Sequence, residues 1–174
     1  MSMTIYCKRC ATDDDYAKAS LFMLQNKREL HPSLSTVDII TLLYYYMTAG
    51  NLIMVMDADE HMLAVGAYYM GTPEQEFVDK QRVVLVDNVI VARSYRSTRV
   101  FIRGFRYLMS QIIEDNREVQ EFRFVALSEN TYLQKLYPKF ASFIGSREGT
   151  IGTEDIYSVE IHKLRTFLDR FARI

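Results

Sequence analysis

Cysteine is scarce in this sequence. The 174 residues hold two, Cys7 and Cys10, in a lone C-x-x-C. A redox pair needs a low-pKa thiol, usually at a helix N-terminus. Here the motif lies in Ile5-Tyr6-Cys7-Lys8-Arg9-Cys10, which reads as a strand entering a turn. A zinc site needs two more ligands, and His31, His61 and His162 are scattered, so no metal site is implied. The pair reads as two reduced thiols. Charge of one sign is also missing. A formal net charge of -1 gives no global field to draw nucleic acid or an anionic membrane. No stretch approaches the ~18 uninterrupted apolar residues of a membrane helix. No basic segment followed by an apolar run opens the chain, so no secretory signal is expected. No repeat, linker or low-complexity tract interrupts it. These absences point to one domain over residues 1–174, cytoplasmic, with neither nucleic acid nor membrane as partner.

What is present is an ordinary globular balance, 49% apolar and 25% charged, enough to bury a core without disulfide or metal staples. Met3 to Arg9 reads as a strand. Thr12 followed by Asp13, Asp14 and Asp15 is a helix start, with a hydroxyl cap and carboxylates at the positive end of the dipole. That helix is expected to reach about Leu30, where His31-Pro32-Ser33 breaks it. Ser35 or Thr36 caps a second helix through Tyr46 or Met47, with Val37, Ile40, Leu43 and Met47 as its buried face and Gly50 at its stop. Leu52–Met56 and Met62–Tyr69 flank a short polar turn and read as an antiparallel hairpin, closed by Gly71-Thr72-Pro73 and followed by a charged loop. Arg82 to Val91, with valine at 83, 84, 86, 89 and 91, suits a central strand covered on both faces. A helix follows from about Ser97 to Glu114, its stripe Phe101, Phe105, Leu108 and Ile112 aimed at the sheet. Then come a strand over Glu121–Leu127, a short helix over Asn130–Leu136, strands over Phe140–Gly145 and Ile156–Ile161, and a terminal amphipathic helix marked by Leu164, Phe167, Leu168 and Phe171. The fold class is α/β (α+β), a mixed, largely antiparallel sheet.

The segment Val89-Ile90-Val91-Ala92-Arg93-Ser94-Tyr95-Arg96-Ser97-Thr98-Arg99-Val100-Phe101 resembles the acyl-CoA-binding motif of the GNAT N-acyltransferases: a strand, V-x-P-x-Y-R-G-x-G-x-G/A, then a helix. Val91, Tyr95 and Arg96 match, and the physics is that of an anion at a helix N-terminus. A second segment, from Phe124 through Asn130 to Leu136-Tyr137-Pro138-Lys139-Phe140, resembles the other signature of the family, L-Y-x-K-x-G-F after an asparagine and a short helix. Ser97, Arg99 and Phe101 stand where the family has glycines; glycine lets backbone approach phosphate closely.

The resemblance implies a GNAT-like sheet of six to seven strands with helices on both faces and an extra C-terminal helix. It implies an N-acetyltransferase that moves an acetyl group from acetyl-CoA to a primary amine, on a small molecule or peptide, by direct transfer in a ternary complex. Backbone at Val89, Ile90 and Val91 is expected to hold the pantetheine, residues Arg96, Ser97, Thr98, Arg99, Val100 and Phe101 the pyrophosphate, and Asn130 the pantetheine arm. Tyr137 is the expected acid and Asp87 the candidate base. Strand alternation puts Asp87 on the face of Val89 and Val91, opposite Asn88 and Ile90. Each has a plainer reading: Tyr137 packed at a helix end, Asn130 as a helix cap, Asp87 satisfied by neighbours. Arg96, Arg99, Arg103 and Arg106 share one helical face, with the first two assigned to phosphate in the helix's first turn and the last two to solvent. Tyr44, Tyr45 and Tyr46 read as core plus surface before they read as an acceptor cleft. The changed glycines and the terminal helix motivate the alternative of a non-catalytic GNAT-fold interaction module. Phe167 and Phe171 either pack on their own domain or make a homodimer contact.

Overall fold

The structure is a computed structural model that describes residues 3–71, 82–96, 98–149 and 151–171. Strand β1 (Tyr6–Arg9) leads to helix α1 (Asp13–Gln25). The Thr12 hydroxyl accepts from the Asp15 amide, and the Asp15 carboxylate accepts from the Thr12 amide, which closes a reciprocal cap. The expected single helix to Leu30 is two. Asn26 turns its side-chain amide onto the Phe22 carbonyl at 2.9 Å, and a separate turn, α2 (Lys27–Leu30), follows. Asparagine competes in this way for helix backbone, and the break was legible only in the fold. Ser35 and Asp38 build the same reciprocal cap on α3 (Thr36–Thr48).

The remaining elements are β2 (Asn51–Met56), β3 (Met62–Met70), β4 (Val83–Val91), α4 (Val100–Asp115), β5 (Glu121–Leu127), α5 (Thr131–Leu136), β6 (Ser142–Glu148), β7 (Thr153–Glu160) and α6 (Ile161–Asp169). Seven strands form one sheet in the order β1-β2-β3-β4-β5-β7-β6. All neighbours are antiparallel except β4 and β5, which α4 joins by a crossover. The valine-rich β4 is central, as its continuous apolar character requires. Gly71 follows the hairpin at φ 89°, a value L side chains rarely adopt. The expected Thr72-Pro73 closure and charged loop lie outside the described residues.

Helices cover both faces. On one, Met23, Leu30, Ile39, Leu43 and Tyr46 pack on Leu52, Met54, Val65 and Leu85. On the other, Phe105, Leu108, Ile112, Leu133, Leu164 and Leu168 pack on Val84, Val86, Phe122 and Phe124. Each such side chain contributes about 1.5–3 kcal/mol when fully buried. The buried stripe of α3 is Ile39, Leu43 and Tyr46; of the expected stripe only Leu43 is buried, while Val37 is 70% exposed and Ile40 and Met47 are exposed too. This helix is apolar almost all round, so periodicity alone does not choose its inner face. Helix α6 packs on its own sheet: Leu164 and Leu168 are buried and the Phe167 ring lies tilted 5.1 Å from that of Phe140. No helix among the described residues is long and apolar enough to cross a membrane.

Candidate functional site

Strands β4 and β5 pair only from Val83–Val86 against Glu121–Phe124. Beyond Val86 and Phe124 they part, so the edge of Asp87–Val91 facing β5 has no strand partner among the described residues. The other edge of β4 stays paired to β3, with Val89, Ile90 and Val91 opposite Gly66, Val65 and Ala64. Where the strands part, β4 carries a bulge. Ala67 faces Asn88 while its neighbour Tyr68 faces Val86, leaving Asp87 as an extra residue.

The bulge overturns the expected alternation. Asp87 and Asn88 turn to the same side, where both meet the hydroxyl of Tyr46. Tyr46 donates to Asp87 Oδ2 at 2.7 Å, Asn88 donates to the same hydroxyl, and Asn88 Nδ2 lies 3.1 Å from Asp87 Oδ2. Val89 and Val91 instead pack toward Val100 of α4. Burial pushes the Asp87 carboxyl up to about 6 and the nearby Glu154 charge adds to this, while the Tyr46 and Asn88 hydrogen bonds pull it back. A carboxyl in that range is ionised at neutral pH yet basic enough to accept a proton.

Asp87 and Asn88 form one wall of a cleft of about 310 Å³. Val125 and Leu127 of β5 face them, Leu42 of α3 covers the cleft, and Arg147, Glu148, Ile151 and Glu154 of the β6–β7 hairpin complete it. Of the tyrosine run on α3, Tyr46 is buried against Asp87 while Tyr44 and Tyr45 are exposed.

The loop after β4 holds a different arrangement. A short 3-10 turn (Arg93–Tyr95) precedes α4, which begins at Val100, so Arg96 stands before the helix and not in its first turn. Its Nε donates to the Val91 carbonyl at 3.3 Å, and its guanidinium pairs with Glu29 of α2 at 2.5 Å and lies 4.6 Å from the Tyr132 ring centre. Asn130 caps α5: its Oδ1 accepts from the Leu133 amide, and its Nδ2 donates to the Glu29 carbonyl. His31 reaches Glu129 at 2.9 Å. The end of α2 thus bridges the loops that leave the two parted strands. Arg99 is exposed at the N-cap of α4 and makes no side-chain cap there; the Thr98 hydroxyl accepts from the buried Val100 amide at 3.3 Å. Phe101 turns its ring into a cluster with Phe105 and Phe140, away from the loop. Arg103 is exposed and Arg106 half-buried. Ser97 lies outside the described residues.

Tyr137, one residue beyond α5, is 0% exposed, and its hydroxyl is buried with no hydrogen-bond partner among the described residues. Rings of Phe124, Phe140 and Tyr157 surround it. Burial raises its pKa far above the ordinary phenol value, with smaller contributions from Tyr132 and Asp87. A buried hydroxyl without a partner is rare and costly, about 1–3 kcal/mol. Cys7 and Cys10 are free thiols pushed up by burial to about 11 and about 12, which keeps both protonated at neutral pH. Sequence reasoning missed Glu29, Tyr132, Asn88, Glu148 and Glu154 as neighbours of the site. Only Tyr46 carried a signal, the aromatic run.

A seven-stranded sheet parted between its central parallel strands, with helices on both faces, is the GNAT fold. Among solved structures the chain is similar to the aminoglycoside acetyltransferase AAC(6')-Ib in complex with coenzyme A and kanamycin, at 12% identity and TM-score 0.70, over 94% of this chain and 98% of that one. It is also similar to a GCN5-related N-acetyltransferase from Kribbella flavida, at 16% identity and TM-score 0.63, over 90% and 98% of the two chains. A third likeness, at 12% identity and TM-score 0.64 over 92% and 95%, is to an acetyltransferase of unproven activity from Acinetobacter baylyi. No family model and no curated protein matches the sequence.

Proposed function

We propose that this chain transfers an acetyl group from acetyl-CoA to a primary amine of a small molecule. The observation that carries the reading is the parting of β4 from β5 beside the partnerless buried hydroxyl of Tyr137. Similar solved structures hold coenzyme A or acetyl-CoA, and several of them also hold an aminoglycoside, which supports the reading at the level of the fold. The residues present fit the donor. Val89, Ile90 and Val91 lie along an edge with no strand partner among the described residues, suited to an amide-bearing arm, with the Val91 carbonyl bonded to Arg96. Arg96, Thr98, Arg99 and the start of α4 offer cations and backbone N–H groups for a pyrophosphate, with Val100 and Phe101 supplying backbone and not side chain. Asn130 keeps its role as the α5 cap while flanking the arm.

Acetyl-CoA supplies the acyl thioester. The amine nitrogen bonds to the acyl carbon as the carbon–sulfur bond breaks. Asp87, held by Tyr46 and Asn88, takes the proton that the nitrogen loses. Tyr137, kept protonated by burial, gives its hydroxyl proton to the departing sulfur. Return of the first proton through water restores both residues, so neither is consumed.

One observation favours a second reading, a non-catalytic GNAT-fold module. Arg96 is already neutralised by Glu29, and no glycine stands in the described part of the loop. Calorimetric titration of acetyl-CoA, with Arg96→Ala alongside, separates the two. Micromolar binding weakened by the substitution is expected; silence at millimolar acetyl-CoA would leave the module as the reading.

A further inference from the structure

The cleft beside Asp87 has a sign. Three carboxylates line it, Asp87, Glu148 and Glu154, against one guanidinium, Arg147, whose Nε is committed to Glu154 at 2.8 Å. Leu42, Val125, Leu127 and Ile151 supply apolar wall between them. Glu154 is close enough for its charge to act on Asp87, so the carboxylates share one field. Acidic side chains alone are common on surfaces, but here they surround a formed cleft beside the parted strands. Asp87 in its wall is held by the Tyr46 hydroxyl at 2.7 Å and lies where β4 leaves β5. Carboxylates in a concave, partly apolar site concentrate cations and repel anions. Among the described lining residues, an acceptor bearing its own carboxylate would meet three like charges and no cation clear of Glu154.

We infer that the acceptor is a small polycationic amine: one amino group is presented to Asp87 for acetylation, and a second ammonium is held by Glu148 and Glu154 at the hairpin tip. The apolar wall fits the carbon skeleton between the two. This rests on the acetyltransferase reading and adds the chemical class of its acceptor. A volume of about 310 Å³ sits at the small end of ligand clefts, which suits a compact di- or polyamine over a protein surface. Glu148 is the position that sets this preference, because it is exposed at the rim, where its carboxylate accepts from the Thr153 hydroxyl at 3.0 Å.

The test uses the full chain with acetyl-CoA and mass-spectrometric detection of acetylated product. The acceptors are spermidine, kanamycin, butylamine, free lysine and a lysine-rich peptide. Spermidine or kanamycin should exceed butylamine and lysine in kcat/KM at least tenfold, with the advantage shrinking as salt is raised. Glu148→Gln should raise KM for the polyamine about tenfold with kcat kept, and leave KM for butylamine unmoved, which a folding defect would not do. Equal use of butylamine or lysine, or preference for the peptide, overturns the inference. So does a Glu148→Gln variant with unchanged polyamine KM. Acetyl-CoA binding measured by calorimetry keeps the two readings apart: binding with no polyamine acetylated sinks the acceptor class alone, whereas no binding sinks the acetyltransferase reading itself.

Discussion

The gap between β4 and β5 is furnished differently in its two regions. At the loops that leave the strands, the protein's own side chains fill the space: Glu29 grips Arg96, Tyr132 lies under it, and Asn130 ties to the α2 backbone. Around Asp87 the walls stand open, and carboxylates face a cleft of about 310 Å³. The first region has satisfied its charges internally. The second holds charge without full compensation, at a cost to folding. Burial holds the Asp87 carboxyl near 6 against about 4 in an unfolded chain. The folded state therefore binds the proton more tightly. Stability contributed by this group is greatest below about pH 4 and is lost as pH rises through 6, by on the order of 3 kcal/mol. Tyr137 adds a second cost in its unpaired hydroxyl. Regions that cost stability without a structural return are where function is expected.

The largest effect should come from Asp87→Asn, which keeps shape and can still accept from Tyr46. Acetyl transfer should fall about a hundredfold or more, while the melting temperature at pH 8 is equal or higher because a buried charge is gone. A coupled loss of stability would break the contrast. In the unsubstituted protein, kcat/KM should rise with pH through about 6 as Asp87 ionises.

Tyr137→Phe should lower kcat about tenfold to a hundredfold without lowering stability, since it removes a hydroxyl that bonds to nothing. Unchanged turnover removes Tyr137 from the proton path. Helix α4 supplies a structural control. A Cβ on Gly104 would come 2.8 Å from Val55 Cγ2, so Gly104→Ala should destabilise by about 1–3 kcal/mol in chemical denaturation, although alanine is the better helix former. The smallest effect is at the filled region. Glu29→Gln releases Arg96, and acetyl-CoA should bind about fivefold tighter by calorimetry, roughly 1 kcal/mol. Weaker binding would mean that Glu29 supports the loop more than it competes for the cation.

Much of the fold was legible in the sequence. The helix caps at Thr12 and Ser35, the hairpin and the valine-rich β4 all rest on local chemistry, and they lie where local chemistry places them. Errors fell where a choice depended on partners far along the chain. The inner face of α3 was misjudged because nearly all its faces are apolar, and tertiary packing of Ile39, Leu43 and Tyr46 on the sheet, with Asp87 for the Tyr46 hydroxyl, selects one. Alternation put Asp87 on the wrong side because a single extra residue in β4 reverses every assignment before it. The partners of Arg96 and Asn130 come from α2, 67 and 101 residues away in sequence, with no local signal.

The sequence by itself determined the order of elements, the caps, the central strand and two spaced motifs, because each depends on side chains within a few residues of one another. Tertiary structure alone decided which residues face the gap, which charges are already spoken for and which are left over. Those depend on burial and on long-range pairing, and a carboxylate becomes basic, or a hydroxyl partnerless, only when the rest of the chain has closed around it.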